Sequence, residues 1–194
     1  MSDERKGGLA LIASNAALLT TMALHPLPQD GPGAMVRGVA VHVLAMLFSP
    51  VALFGALMLS KRVRAQLATC FQAFALIVGM LAPVMSGLVM PARPSPEMAR
   101  FAWILNQACT RIWVTGTSIA IVLWGVASWR EKLLPRPLAI YGFLCAALVL
   151  GIVFAGIPLD VHHTGLVALL QATFLVWAGA LMLGPRIGSV GHGQ

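Results

Sequence analysis

Charged residues are scarce in this chain. Asp, Glu, Lys and Arg make up 10% of its 194 residues, and only six residues are acidic. Soluble domains carry about 25% charged residues. Together with 59% hydrophobic residues and a mean hydropathy of +0.87, this scarcity excludes a soluble globular domain. It indicates an integral membrane protein.

Paired cysteines and catalytic motifs are missing too. The three cysteines lie singly in apolar runs, so they form neither a CxxC motif nor a disulfide framework. The chain has no Walker A loop, no dinucleotide-binding turn, no HExxH and no GxSxG. No pair of carboxylates lies inside an apolar run, which argues against a proton-coupled pump. The sequence thus predicts no catalytic residue and favours a non-enzymatic protein.

Long apolar runs dominate what remains. Their boundaries are Leu9–Leu24, Met35–Ser60, Ala65–Met90, Phe101–Trp129, Pro137–Ile157 and Gly165–Leu183. Most of them exceed the roughly 17 residues that a helix needs to cross a bilayer. None shows the alternation of a membrane β-strand. We expect an all-α polytopic bundle of six transmembrane helices that forms one domain over residues 1–194.

The N-terminal run has the charged start of a signal peptide, with Arg5 and Lys6 before an apolar stretch. Asp3 and Glu4 do not suit that role, and no A-x-A cleavage site follows. We therefore expect the first helix to be retained.

The basic residues indicate how the helices are oriented. The net charge of +7 comes from side chains in short loops, which predicts topology rather than a nucleic-acid partner. Nine lie on one side: Arg5, Lys6, Lys61, Arg62, Arg64, Arg130, Lys132, Arg136 and Arg186. Arg37, Arg93 and Arg100 lie on the other. This asymmetry predicts a bacterial-type inner-membrane protein with both termini in the cytoplasm.

Small residues and prolines predict how the helices pack. Ala147, Gly151 and Ala155 recur every four positions, as do Ala75 and Gly79. Residues at this spacing let helices approach closely in lipid. The prolines at positions 50 and 83 predict kinks.

A polar pocket is predicted on the outer side. His42 lies about one turn inside its helix, and an ionisable group at that depth usually faces a bundle or a cavity. The other outer histidines are His25, His162 and His163, which end or precede helices. The predicted pocket residues are His42, Gln107, Arg111, Asp160 and His163.

Two of these residues have alternative interpretations. Asp160 has the position of a helix N-cap as well as that of a polar cluster. Arg111 lies either about ten residues deep, where it requires a partner, or at the interface, where it reaches headgroups. If Arg111 faces the histidines, its charge favours an anionic ligand.

The first functional hypothesis is a protein that binds or passes a small molecule, or supports a membrane partner, with no cofactor. The second is a redox protein in which His42, His163 and His25 hold haem b or copper. A third is a hydrolase in which the outer histidines and Asp160 activate a metal-bound water.

The segment WGVASWREKLLPRPLAIYG, residues 124–142, joins two apolar runs through a basic loop. It resembles the helix–LPR–helix junction of a family of small bacterial six-helix membrane proteins of unknown function. The resemblance implies the six-helix topology and a multi-pass location, and it carries no activity and no site residues.

Overall fold

The computed structural model describes residues 1–26, 31, 33–92, 95–131 and 134–184, which contain helices and no β-strand. The helices are α1 (Asp3–Ala23), α2 (Ala34–Val63), α3 (Gln66–Gly79), α4 (Leu81–Val84), α5 (Pro96–Glu131), α6 (Arg136–Phe154) and α7 (Val161–Leu183). A π-helical turn (Met85–Val89) and a 3-10 turn (Met90–Ala92) continue α4. The predicted all-α class is confirmed.

Five helical segments in the described part of the chain are long and apolar enough to cross a bilayer. They are α2, residues 66–92, α5, α6 and α7. Large apolar side chains, among them Leu47, Phe74 and Leu144, point outward and are exposed. In water this surface would be unfavourable, whereas in lipid it requires no cover. These features are those of a multi-pass membrane protein.

Helix α1 is not one of the five, because its first turn is charged and its middle is polar. Ser2 caps its N-terminus by accepting a hydrogen bond from the Arg5 amide. The buried side chains of Ser14 and Asn15 both donate to the Leu11 carbonyl. Such bonds within the helix satisfy the polar side chains on the buried face of α1.

Glycines let α1 lie against α2 and α7. A Cβ added at Gly8 would lie 2.6 Å from the Gly179 carbonyl oxygen, and one at Gly179 would lie 2.8 Å from the Gly8 carbonyl oxygen. A Cβ at Gly7 would overlap Met58 on α2. Helices α1 and α7 therefore pack backbone against backbone, and α2 packs a side chain against the backbone of α1, as small residues permit.

The predicted packing stripes have different outcomes. Ala75 is buried, and it lies so close to α5 that a Cβ at Gly116 would be 2.8 Å from its own. The prediction that Ala147, Gly151 and Ala155 form a packing face was wrong for contacts within the described chain. Ala147 and Ala155 are exposed, and a Cβ at Gly151 would have no neighbour within 4 Å. The face of α6 that packs inward is the other one, with Leu138, Gly142 and Val149.

The two prolines also differ. Helix α2 continues through Pro50, whereas the third run is broken into α3, α4 and the π-helical turn around Pro83. Proline removes a backbone donor and crowds the preceding turn. The π-helical turn places Gly87 directly against His42, where a Cβ would overlap the imidazole. Irregular backbone therefore lies next to the predicted pocket.

Candidate functional site: a cavity among five helical segments

A cavity of about 420 Å³ lies inside the bundle. Its walls come from α1, α2, the broken third run, α5 and α7, while α6 contributes no lining residue. Half of the lining residues are polar: Ser14, Asn15, Thr21, His25, His42, Ser49, Gln72, Ser86, Asn106, Gln107, Thr110, Thr117, Asp160, Thr164 and Gln171. Polar groups are rare and unfavourable inside apolar bundles unless they have partners or face a cavity. Their concentration here marks the site.

One end of the cavity is formed where α1 ends and where α2 and α7 begin. His25, His42 and Asp160 line it, together with Trp103, which is largely exposed. We call this the histidine end. The prediction that His42 faces the bundle interior or a cavity agrees with its place in this wall.

His25 and His42 are in contact. Their ring centroids are 5.1 Å apart in an edge-to-face arrangement. Nδ1 of His25 lies 3.0 Å from the Pro26 carbonyl oxygen, and Nδ1 of His42 lies 2.5 Å from the Gly38 carbonyl oxygen. Because a carbonyl oxygen only accepts, Nδ1 is the donor in each pair. In the neutral rings, Nε2 therefore carries the lone pair.

Gln107 lines the cavity and connects α5 to the segment before α7. Its Nε2 donates to the Leu159 carbonyl oxygen at 3.1 Å, and its Oε1 accepts from the Leu159 amide at 3.2 Å. The neighbouring Asn106 donates to Ser86 Oγ and accepts from Thr110 Oγ1. These amides fix α5 to both flanking segments, so the wall is held in place by hydrogen bonds.

Arg111 does not line the cavity. Its Nη2 donates to the carbonyl oxygens of Gly156 and Ile157 at 3.4 and 3.5 Å. These carbonyls follow the C-terminus of α6, where a cation is favoured by the exposed carbonyls and the helix dipole. The guanidinium thus stabilises the α6–α7 connection. Its depth in a bilayer stays a prediction.

Asp160 is the N-cap of α7, so the capping interpretation is confirmed. Its Oδ1 accepts from the His163 amide at 2.9 Å and lies 3.0 Å from His163 Nδ1. The hydrogen bond from the His163 amide, together with the charge of a protonated His163, holds the pKa of Asp160 below its usual value. Asp160 also lines the cavity, whereas His163 does not and is exposed.

The three histidines of the metal hypothesis are therefore not gathered. His25 contacts His42, while His163 pairs with Asp160. Among the described residues, no three His, Cys, Asp or Glu side chains form a group that could hold a metal ion.

Replacing Asp160 by Ala is expected to lower the thermal stability of the protein, because the first turn of α7 loses its cap. Asp160→Asn is the control, since Asn caps as well as Asp. Folding lowers the pKa of Asp160, so its ionised carboxylate adds stability that a neutral Asn cap lacks. The wild type should therefore melt at a higher temperature than the Asn variant above the unfolded pKa of about 3.8, and this difference should disappear as the pH falls further. Melting curves across pH 3–7 measure this, and equal curves for wild type and Asp160→Ala would contradict it.

The far end of the cavity contains amides that were not predicted from the sequence. Gln171 on α7 donates from Nε2 to the Val114 carbonyl oxygen at 2.8 Å and to Ser118 Oγ at 3.0 Å. Gln72 on α3 and Thr117 on α5 line the same region. We call it the amide end. In the sequence, Gln72 and Gln171 are each a single amide in an apolar run, and this position indicates a residue that faces inward.

No protein-family model, curated protein or solved structure matches this chain. The resemblance of residues 124–142 to a six-helix family of unknown function stays a prediction. Function therefore has to follow from the chemistry of the cavity.

Proposed function

We propose that this protein binds a small molecule in the cavity, or passes it through, without catalysing a reaction on it. The main support is a volume of about 420 Å³, within the range of about 300–1,000 Å³ typical of ligand pockets. Its lining combines aromatic and aliphatic side chains with polar side chains, several of which are fixed by hydrogen bonds. Polar groups held in place in this way orient a ligand.

We further propose six spans in the inner membrane, with α1 as the first. Support for this comes from α1 packing between α2 and α7 through the contacts of Gly7 and Gly8. The excess of basic residues then puts both termini in the cytoplasm and the histidine end on the outside. Three of the basic residues counted for this orientation, Arg93, Lys132 and Arg186, lie outside the described residues.

The charge of the lining favours an uncharged or cationic ligand. Asp160 is the only Asp, Glu, Lys or Arg among the described lining residues. The anionic ligand expected from Arg111 loses its support, because that guanidinium is bound to backbone carbonyls at the α6–α7 connection.

A direct test is calorimetric titration of 4-butylphenol into the protein in lipid nanodiscs, with the heat of empty nanodiscs subtracted. This probe has an apolar body, which suits the aliphatic and aromatic half of the lining, and one uncharged polar head, which can bond its polar side chains. We expect saturable binding with one site per chain. Heat that matches empty nanodiscs at every concentration would contradict the proposal.

A second candidate, a copper site, is favoured by the two histidines in contact. Nε2 of His25 and of His42 both carry lone pairs, and a carbonyl bound to the other nitrogen is the usual support of a ligating imidazole. Met22 and Met80 line the same cavity, and thioethers suit Cu(I). Haem b fits less well, because rings in mutual contact cannot lie on opposite faces of one porphyrin.

Metal analysis of protein loaded with Cu(I) distinguishes the candidates. The copper hypothesis predicts about one bound copper that is lost in His42→Ala and kept in His162→Ala, whose histidine is exposed and outside the cavity. Equal copper in both variants would exclude it.

A further inference from the structure

The amide end contains three buried oxygen atoms without a hydrogen-bond partner. They are Gln72 Oε1, Thr117 Oγ1 and Gln171 Oε1. Their side chains belong to residues that are 4%, 2% and 2% exposed and that line the cavity. Buried polar atoms nearly always have partners, so three unpartnered atoms in one wall call for an explanation.

The three residues lie at one level of the bundle. Gln171 is fixed to α5 by its bonds to Val114 and Ser118, which flank Thr117. On the other side, a Cβ at Gly116 would lie 3.2 Å from the carbonyl oxygen of Phe71, the residue before Gln72. Helices α3 and α7 therefore present their amides on either side of Thr117.

The orientation of the Gln171 amide is determined by its partners. Its Nε2 faces the Val114 carbonyl oxygen, which only accepts. Turning the amide over would place two acceptor oxygens against each other. Oε1 of Gln171 is therefore an acceptor for which the described structure supplies no donor, whereas the unpartnered Thr117 hydroxyl can either donate or accept.

We propose that the amide end, on the basis of the ligand-binding function above, receives the uncharged O–H or N–H donor of a small amphiphile. The apolar body of the ligand then lies toward the histidine end, against side chains such as Leu76 and Trp113. An alcohol, a phenol or a primary amide has this chemistry. This donor supplies the partner that one of the two amide oxygens lacks, and the Thr117 hydroxyl can bond the same polar head.

The donor is uncharged because the amide end has no carboxylate. The only acidic side chain of the described lining, Asp160, belongs to the histidine end. A buried ammonium group without a counter-ion is strongly disfavoured, while a neutral donor needs only acceptors. The oxygens themselves are covered, so the donor reaches them after the Gln72 amide turns about χ3 or the Thr117 side chain changes its χ1 rotamer.

The test compares 4-butylphenol with its methyl ether, which has the same body and no donor, by calorimetry in nanodiscs. We expect the phenol to bind about tenfold more tightly, as one buried hydrogen bond implies. Gln72→Met and Thr117→Val, which keep side-chain size, should reduce this preference. Gln66→Met and Thr173→Val, at exposed positions outside the cavity, should retain it.

Each outcome has a distinct meaning. Equal binding of the two probes, or a preference that survives in both cavity variants, overturns the assignment of the amide end and leaves the ligand-binding function standing. Equal binding is also the result expected if ordered water alone satisfies the three oxygens. Failure of both probes to bind overturns the proposed function as well.

Discussion

A variant with Ala45→Phe and Ala52→Phe is expected to bind 4-butylphenol at least about tenfold more weakly than the wild type. Both alanines line the cavity on α2, and their spacing of seven residues puts them on one face of the helix. Two phenyl rings added on this face would occupy much of the 420 Å³. Calorimetry in nanodiscs measures the loss.

The matched control is Ala147→Phe with Ala180→Phe. These alanines are exposed on α6 and α7 and do not line the cavity, so the same side chains are added on the proposed lipid-facing surface. Binding should stay at the wild-type level. If both double variants bound the probe as the wild type does, the probe would lie elsewhere and the cavity would not be its site.

Replacing Gly8 by Ala is expected to destabilise the protein by about 1–3 kcal/mol, the usual range for overpacking a close contact. The new methyl group would lie 2.6 Å from the Gly179 carbonyl oxygen and 2.9 Å from the Met182 Cβ. A backbone oxygen cannot turn aside as a flexible side chain does. Helices α1 and α7 would have to separate, which a lower unfolding midpoint in a denaturing detergent would reveal.

Gly151→Ala is the matched control, since it makes the same change inside α6 where no atom lies within 4 Å of the new methyl group. Alanine favours helix over glycine by about 1 kcal/mol, so this variant should be as stable as the wild type or more stable. Equal destabilisation by the two substitutions would show that glycine matters here for a reason other than close packing.

The helices were predictable because apolar length and loop charge are local properties of the sequence. The run predicted as Phe101–Trp129 became α5 (Pro96–Glu131), with polar residues added at both ends. Which helices pack against each other was not predictable in the same way. The stripe at Ala147 and Gly151 has the spacing of a packing face, yet Gly7, Gly8 and Gly179 make the close approaches. A small residue permits contact, but the partner helix decides where contact occurs.

The site was predicted in part for a similar reason. His42 was predicted because an ionisable group one turn inside a helix needs a polar environment, and Gln107, predicted for the same pocket, also lines the cavity. Arg111 was predicted for this pocket too, but its long side chain reaches the carbonyls beyond α6 instead. Gln72 and Gln171 were missed because each is a single amide in an apolar run, and only the fold brings the two together around Thr117.

The central proposal, a polar cavity whose histidine end lies on the outer side of the membrane and is reached from there, is tested most directly by cysteine labelling. In a background with Cys70, Cys109 and Cys145 replaced by Ala, the Ser49→Cys variant places a thiol in the cavity wall. The Ser128→Cys control places one at a buried position outside it. A membrane-impermeant thiosulfonate added outside intact cells should modify the first variant and leave the second unmodified. Modification of the first variant only from the cytoplasmic side of inverted vesicles, or from neither side, would contradict the account.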